Sequence, residues 1–143
     1  MSKRPRRLTT TGGSDEREAR SMIAPLLRFE LAEEAARLRA EAEYLDGDRN
    51  AKTMVKAGAF RLVLLAFRVG AAFDENDQRG SLALHMLEGR VALRVGEEEI
   101  EVGAGEVAVV SPDHPWTAVA LSDGLVLIQL SWPPEPGSVA PAG

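Results

Sequence analysis

Two histidines, His85 and His114, are the side chains of this 143-residue chain whose ordinary titration range suits proton transfer near neutral pH. His114 stands between Asp113 and Pro115, in a turn leading into the run that begins at Trp116. It is a weak candidate for a catalytic general base, and Asp113-His114-Pro115 is equally a turn with no chemistry. His85 lies inside the alternating run Leu82–Leu87. Its odd offset from Leu82 puts the two on opposite faces of a strand. If Leu82, Leu84 and Met86 line an interior, His85 faces outward, toward solvent, a helix or a partner subunit. Asp74, Glu75 and Asp77 form a small acidic cluster. Paired carboxylates can divide acid and base roles or hold a hard cation, although a charged loop is usually just solvated. Ser81, Ser111, Ser122 and Ser131 have no histidine-plus-acid company readable in the sequence, so a hydrolase triad is unsupported. Gly103-x-Gly105 lacks the following helix that a dinucleotide loop needs. The absence of cysteine excludes a disulfide framework, a thiolate metal site and a cysteine nucleophile.

The elements that must position these groups are divided by glycine. None occurs from Ser14 to Asp46, whereas from Gly58 onward glycines recur at positions 70, 80, 89, 96, 103, 105 and 124. The first stretch reads as helix and the second as strands joined by turns. From about Pro25 to Tyr44, the residues Leu27, Leu31, Ala35, Leu38, Ala42 and Leu45 recur at steps of four or three and make one apolar stripe. Asp15–Ile23 is a shorter helical candidate. After Asn50 the period becomes two. Strands are expected at Thr53–Lys56, Phe60–Val69, Leu82–Leu87, Val91–Val95, Glu98–Val102, Glu106–Val110, Thr117–Leu121 and Leu125–Trp132. Glu97–Glu99 and Glu101 read as a solvated hairpin tip and its first strand residues. About eight short strands at close spacing suit an all-β fold, a closed antiparallel barrel or a double-sheet jelly roll. The expected organisation is a disordered basic tail over 1–14, a helical segment over 15–48, a β-barrel over 50–132 and a Pro-rich tail over 133–143.

Charge and hydropathy narrow the function classes. The net charge is −5, yet residues 1–14 carry +4, so the remainder carries −9. An acidic body repels phosphate and argues against nucleic acid as a partner. The longest unbroken apolar run, Leu62–Phe67, is far too short to span a membrane. Arg6-Arg7 is followed by no apolar stretch, which removes an export-signal reading and leaves the cytoplasm as the expected location. The segment Phe60–Phe67 is apolar on both strand faces over most of its length. Both faces need cover, one from the barrel interior and the other from the helical stripe or a second subunit. A homodimer is therefore expected.

The stretch Gly70–Ala120 resembles the cupin family, small barrels of the jelly-roll type. Cupins carry the motifs G-x5-H-x-H-x3,4-E-x6-G and G-x5-P-x-G-x2-H-x3-N. This chain reads Gly70-x5-Asn76-x-Gln78-x3-Leu82-x6-Gly89, then Gly105-x5-Ser111-x-Asp113-x2-Trp116-x3-Ala120. The resemblance implies a cupin-type antiparallel jelly-roll barrel preceded by an N-terminal α-helix. In metal-binding cupins, two histidines and a glutamate of the first motif and a histidine of the second hold the metal. Here those positions are Asn76, Gln78, Leu82 and Trp116. Amide oxygens bind transition metals weakly, and leucine and tryptophan offer no suitable lone pair. No metal and no other cofactor is expected. The same register puts Trp116 at the barrel mouth, with Asn76 and Gln78 flanking it and Leu82 and Leu84 on the lining. These five form the expected ligand pocket.

Two functional readings follow. One is a metal-free cupin that binds a small organic molecule in the barrel mouth, non-catalytic or regulatory. The other is a metal-independent isomerase, epimerase or cyclase acting on a small organic acid or sugar derivative, with His114 or a carboxylate as base. A convergent acid–base pair in the pocket would favour the second. A filled barrel with no pocket would instead indicate a purely structural partner protein.

Overall fold

The computed structural model describes residues 6–7, 25–74 and 80–131. After Pro25 the chain does not turn helical at once. Leu27, Phe29 and Leu31 alternate with exposed Arg28 and Glu30, and the three apolar side chains pack on a sheet from an extended segment. The helices are α1 (Leu31–Ala40) and α2 (Ala42–Leu45). The single helix expected from Pro25 to Tyr44 is thus shorter and broken. The break falls at Glu41, whose backbone is extended at φ −85° and ψ 156°. Asn50 holds it there, its Nδ2 donating to the Leu38 carbonyl at 3.0 Å and to Glu41 Oε1 at 2.7 Å. The break turns the stripe, so Tyr44 is buried while Ala42 and Leu45 are exposed. The Asp15–Ile23 candidate lies outside the described residues.

The described residues form ten strands: β1 (Arg6–Arg7), β2 (Arg49–Ala57), β3 (Phe60–Phe67), β4 (Ala72–Asp74), β5 (Ser81–Glu88), β6 (Arg90–Val95), β7 (Glu98–Gly103), β8 (Val107–Val110), β9 (Trp116–Ala120) and β10 (Gly124–Ser131). They form two five-stranded sheets, in the orders β1-β4-β9-β6-β7 and β2-β3-β10-β5-β8. All pairings are antiparallel except β1 with β4. The eight expected strands are all present. The short β1 and β4 had no alternation long enough to be read. Arg6–Arg7 align with Phe73–Asp74, so two residues of the expected disordered tail are paired to a sheet. Gly89, between β5 and β6, takes φ 76°, and a Cβ there would overlap the Asp123 carbonyl oxygen.

Two cores result. Between the sheets lie Val63, Leu65, Phe67, Leu84, Met86, Val126 and Ile128, with Phe73, Val91 and Ala118 facing them. On the outer face of the second sheet, Ala35 and Leu38 of α1 and Tyr44 of α2 pack with Met54, Val55, Leu64, Ala66 and Leu125. The extra residue Met54 sits at a bulge where the β2–β3 register shifts between Thr53 and Val55. Beneath α1, Lys52 Nζ meets Glu34 Oε2 at 2.6 Å, with both side chains nearly buried. A pair so placed fixes how the helix sits on the sheet, because separating it would strand a charge. Arg39 reaches Glu88 at 3.0 Å and fastens the other side of α1. No helix among the described residues is long and apolar enough to cross a membrane.

These positions generate a stability test. Leu38→Ala removes a fully buried anchor and is expected to cost about 2–4 kcal/mol in urea denaturation. Leu45→Ala, at a residue 57% exposed, should change stability by about 0.5 kcal/mol or less. Equal costs would contradict the break at Glu41.

Candidate functional site

Of the five residues expected to form a ligand pocket, three lie among the described residues. Leu82 and Leu84 on β5 and Trp116 at the start of β9 all face between the sheets and belong to the inner core. Trp116 is 6% exposed and stands edge-on to Phe73, with ring centroids 6.2 Å apart at 81°. Phe73 lies 5.9 Å from Phe67, so three aromatic rings form a chain across the sandwich. Asn76 and Gln78, with Glu75 and Asp77 of the acidic cluster, lie outside the described residues. The strand leading to them, β4, pairs Asp74 with Thr117, the residue next to Trp116.

Beside this core a groove of about 490 Å³ opens between β7 and β8. These are the terminal strands of the two sheets on the same side of the sandwich. Val95, Ile100 and Val102 line one wall and Ala108 and Val110 the other. The groove adjoins two of the expected pocket residues. In strand register Val95 is the neighbour of Trp116, and Val110 is the neighbour of Leu82.

Glu98 pairs with Val95, and Val102 with Val91, so Glu98, Ile100 and Val102 share the inward face of β7. Glu98 is nonetheless exposed, like Glu97, Glu99 and Glu101, as expected for a solvated hairpin tip and its first strand residues. Ile100 is inward yet 51% exposed, because no strand among the described residues faces it across the open edge. The neighbouring acids are engaged. Glu99 pairs with Arg94 at 3.2 Å and Glu101 with Arg90 at 2.6 Å, while Glu106 Oε1 accepts from the Gly103 N–H at 2.7 Å. Glu98 has no such partner among the described residues. A count by twos back from Val102 would have placed it inward from sequence alone.

His114 lies at the rim of the groove on the β8–β9 turn, where Asp113 takes φ 66°. Its Nδ1 lies 2.8 Å from the Pro112 carbonyl and 3.1 Å from Ser111 Oγ. A carbonyl only accepts, so an Nδ1–H satisfies the Pro112 contact. Among the described residues no carboxylate bonds this ring. His85 is exposed on the opposite face of β5, in register with Leu127 of β10 and Val107 of β8, so the imidazoles line no common cavity. Among the described residues no three His, Asp or Glu side chains are grouped to hold a metal ion.

No protein-family model and no curated protein matches the chain. Solved structures do. A protein of unknown function from Rhizobium leguminosarum aligns with TM-score 0.59 and 17% identity over 77% of this chain and 99% of that one. An RmlC-like cupin from Shewanella frigidimarina aligns with TM-score 0.55 and 21% identity over 62% and 80% of the two chains. A cupin superfamily protein from Desulfitobacterium hafniense gives TM-score 0.57 and 13% identity over 59% and 78%. At these identities the likeness is one of fold.

The burial of Trp116 generates a test of its structural role. Trp116→Ala should destabilise the protein by about 3–5 kcal/mol in chemical denaturation, because it deletes a core ring beside Phe73. A near-neutral effect would mean that the indole only walls a solvated mouth.

Proposed function

From the cupin fold, which this chain has, we propose that the protein is a metal-free cupin that binds a small organic molecule at the barrel mouth and does no chemistry on it. The observation that carries this reading is the groove of about 490 Å³, a size suited to a small ligand, whose mixed polar and aliphatic walls adjoin Trp116 and Leu82 in strand register. Leu82, Leu84 and Trp116 do not line this groove but belong to the core behind it, and we assign the hydrogen bonding of the ligand to Asn76 and Gln78, which lie outside the described residues. The metal-free state is supported by the chemistry of the four motif positions, where two amides, an alkyl group and an indole stand in place of ligands.

A second reading is favoured by one observation. His114 stands at the rim of the groove, where a general base would need to be, with Nδ1 held against the Pro112 carbonyl. On that reading the protein is a metal-independent isomerase, epimerase or cyclase acting on a small organic acid or sugar derivative. The absence of a carboxylate partner for His114 among the described residues weighs toward binding alone.

One preparation tests both readings. Protein purified without chelator should release a small molecule on denaturation and contain far less than one equivalent of iron, manganese, zinc, nickel or copper by elemental analysis. His114→Ala should keep the bound molecule and its affinity. A near-equimolar metal lost in Asn76→Ala or Gln78→Ala overturns the metal-free reading. A molecule chemically altered by the wild type but not by His114→Ala establishes the enzyme.

We also propose a homodimer formed through the outer face of the second sheet. The helices cover β2, β3 and β10, but Val107 and Val109 on the terminal strand β8 are 55% and 73% exposed. An uncharged, β-branched outer face of this kind invites packing against the same face of a second copy. Light scattering should give twice 15.4 kDa for the wild type and a shift to monomer for Val109→Glu. A wild-type monomer at micromolar concentration would remove the dimer.

A further inference from the structure

We infer that assembly through the outer face of the second sheet is switched by His85, whose neutral ring supports contact with the same face of a second copy and whose imidazolium opposes it. The inference rests on the homodimer reading above and adds its control by pH.

Beyond the helical cover, the outer face of that sheet is two rows of three residues. Leu127 of β10, His85 of β5 and Val107 of β8 stand side by side in one row, and Gln129, Ala83 and Val109 in the next. Alternation puts all six on the face opposite Leu82, Leu84 and Met86 of the inner core. Leu127 lies at the margin of the helix-covered cluster, so the apolar surface continues from beneath the helices to the exposed Val107 and Val109. None of the six carries a fixed charge, and His85 alone of them titrates.

The two polar side chains of this face fit a second copy. The Gln129 amide and the neutral His85 imidazole can each donate and accept a hydrogen bond. A two-fold contact sets the same patch against itself, so each can be satisfied by its own copy. A charged partner would meet no counter-charge there. Protonation removes the match at His85. Imidazolium only donates, two of them repel, and enclosure among valine and leucine disfavours the charge.

The charged groups on the elements packed around His85 are engaged elsewhere. Glu88, farther along β5, pairs with Arg39 of α1, and Glu106, just before β8, accepts from the Gly103 N–H. On the extended segment Arg28 pairs with Glu30. On α1 Arg37 pairs with Glu33 and Glu34, and Glu34 also meets Lys52 of β2. On the outer faces of β8 and β10 there is no charged side chain. Carboxylates, guanidinium groups and ammonium groups ordinarily keep their charge between about pH 5.5 and about pH 8, so His85 is the group on this face that changes in that window. Assembly excludes a proton, so it is complete above the ordinary imidazole range and is lost as pH falls through it.

The test is the dimer dissociation constant of the full chain by sedimentation equilibrium at about pH 8 and about pH 5.5, with far-UV circular dichroism recorded alongside. An imidazole with the ordinary value of about 6.5 is roughly nine-tenths protonated at the lower pH, so excluding both protons raises the constant by up to about 100-fold, and a rise of at least about tenfold is expected. His85→Gln keeps a donor and an acceptor at an exposed position and should dimerise equally at both pH values. His114 remains in that variant, so a pH dependence that persists in it overturns the proposal. A His85→Gln chain that is monomeric throughout overturns it too, since the ring would then serve as packing and not as a switch. A wild-type constant that stays within about threefold overturns the switch and leaves the homodimer standing. Loss of the dimer together with the circular dichroism signal also overturns it, because unfolding then accounts for the change. A wild-type monomer at the higher pH removes the homodimer and the inference together.

Discussion

Strand β3 is apolar on both faces, and the layering of the molecule depends on covering both. Val63, Leu65 and Phe67 point between the sheets, while Leu64 and Ala66 point away from them, and all five are buried. Bare apolar surface costs about 25 cal/mol per Å². A sandwich alone would cover one face. The second cover comes from the extended segment before α1, from α1 itself and from α2, which together close over β2, β3 and β10. The buried Lys52–Glu34 pair and the Asn50 amide then fix where the helices sit. Apolar contact requires a cover, and these polar contacts select one seat for it.

The same arrangement leaves the far side of the sandwich unfinished. The helical cover stops short of β8, and neither terminal strand on that side, β7 or β8, pairs with the other. One consequence is on the outer face, where Val107 and Val109 are exposed. Another is on the inner face, where Ile100 is inward yet wet and the groove lies open. The opposite side differs, because β4 is bordered by β1. The groove in this molecule thus lies where the described sheets fail to close, beside an interior where Phe67, Phe73 and Trp116 pack in series.

The replaced motif positions fit that picture. An indole at Trp116 occupies interior volume and contacts Phe73 edge-on. Leu82 adds aliphatic bulk to the same core. The polar and ionisable groups with room for a ligand stand at the margin, on β7 and on the turn that carries His114. The described centre of this cupin frame is thus aliphatic and aromatic.

Much of the frame was legible in the residues themselves. The strand alternation put Leu82, Leu84 and Met86 inward and His85 outward, because side chains change face at every residue of an extended chain. Glycine spacing and the motif intervals located the turns and pointed to the cupin fold. The strand carrying Glu98 was also legible, but the run of acids masked its inward phase. Other features were not local. The segment Leu27–Leu31 fits both a helical and an extended period, and docking on the sheet decided for extended backbone. The break at Glu41 depends on Asn50, which reaches it from β2. The groove depends on two strand edges that meet no partner. Local dihedral preference and the two-residue period are written residue by residue, so the sequence determined the strands and their inward faces. Which edges remain open, and what seats the helix, depends on contacts between distant residues, so only the tertiary structure decided them.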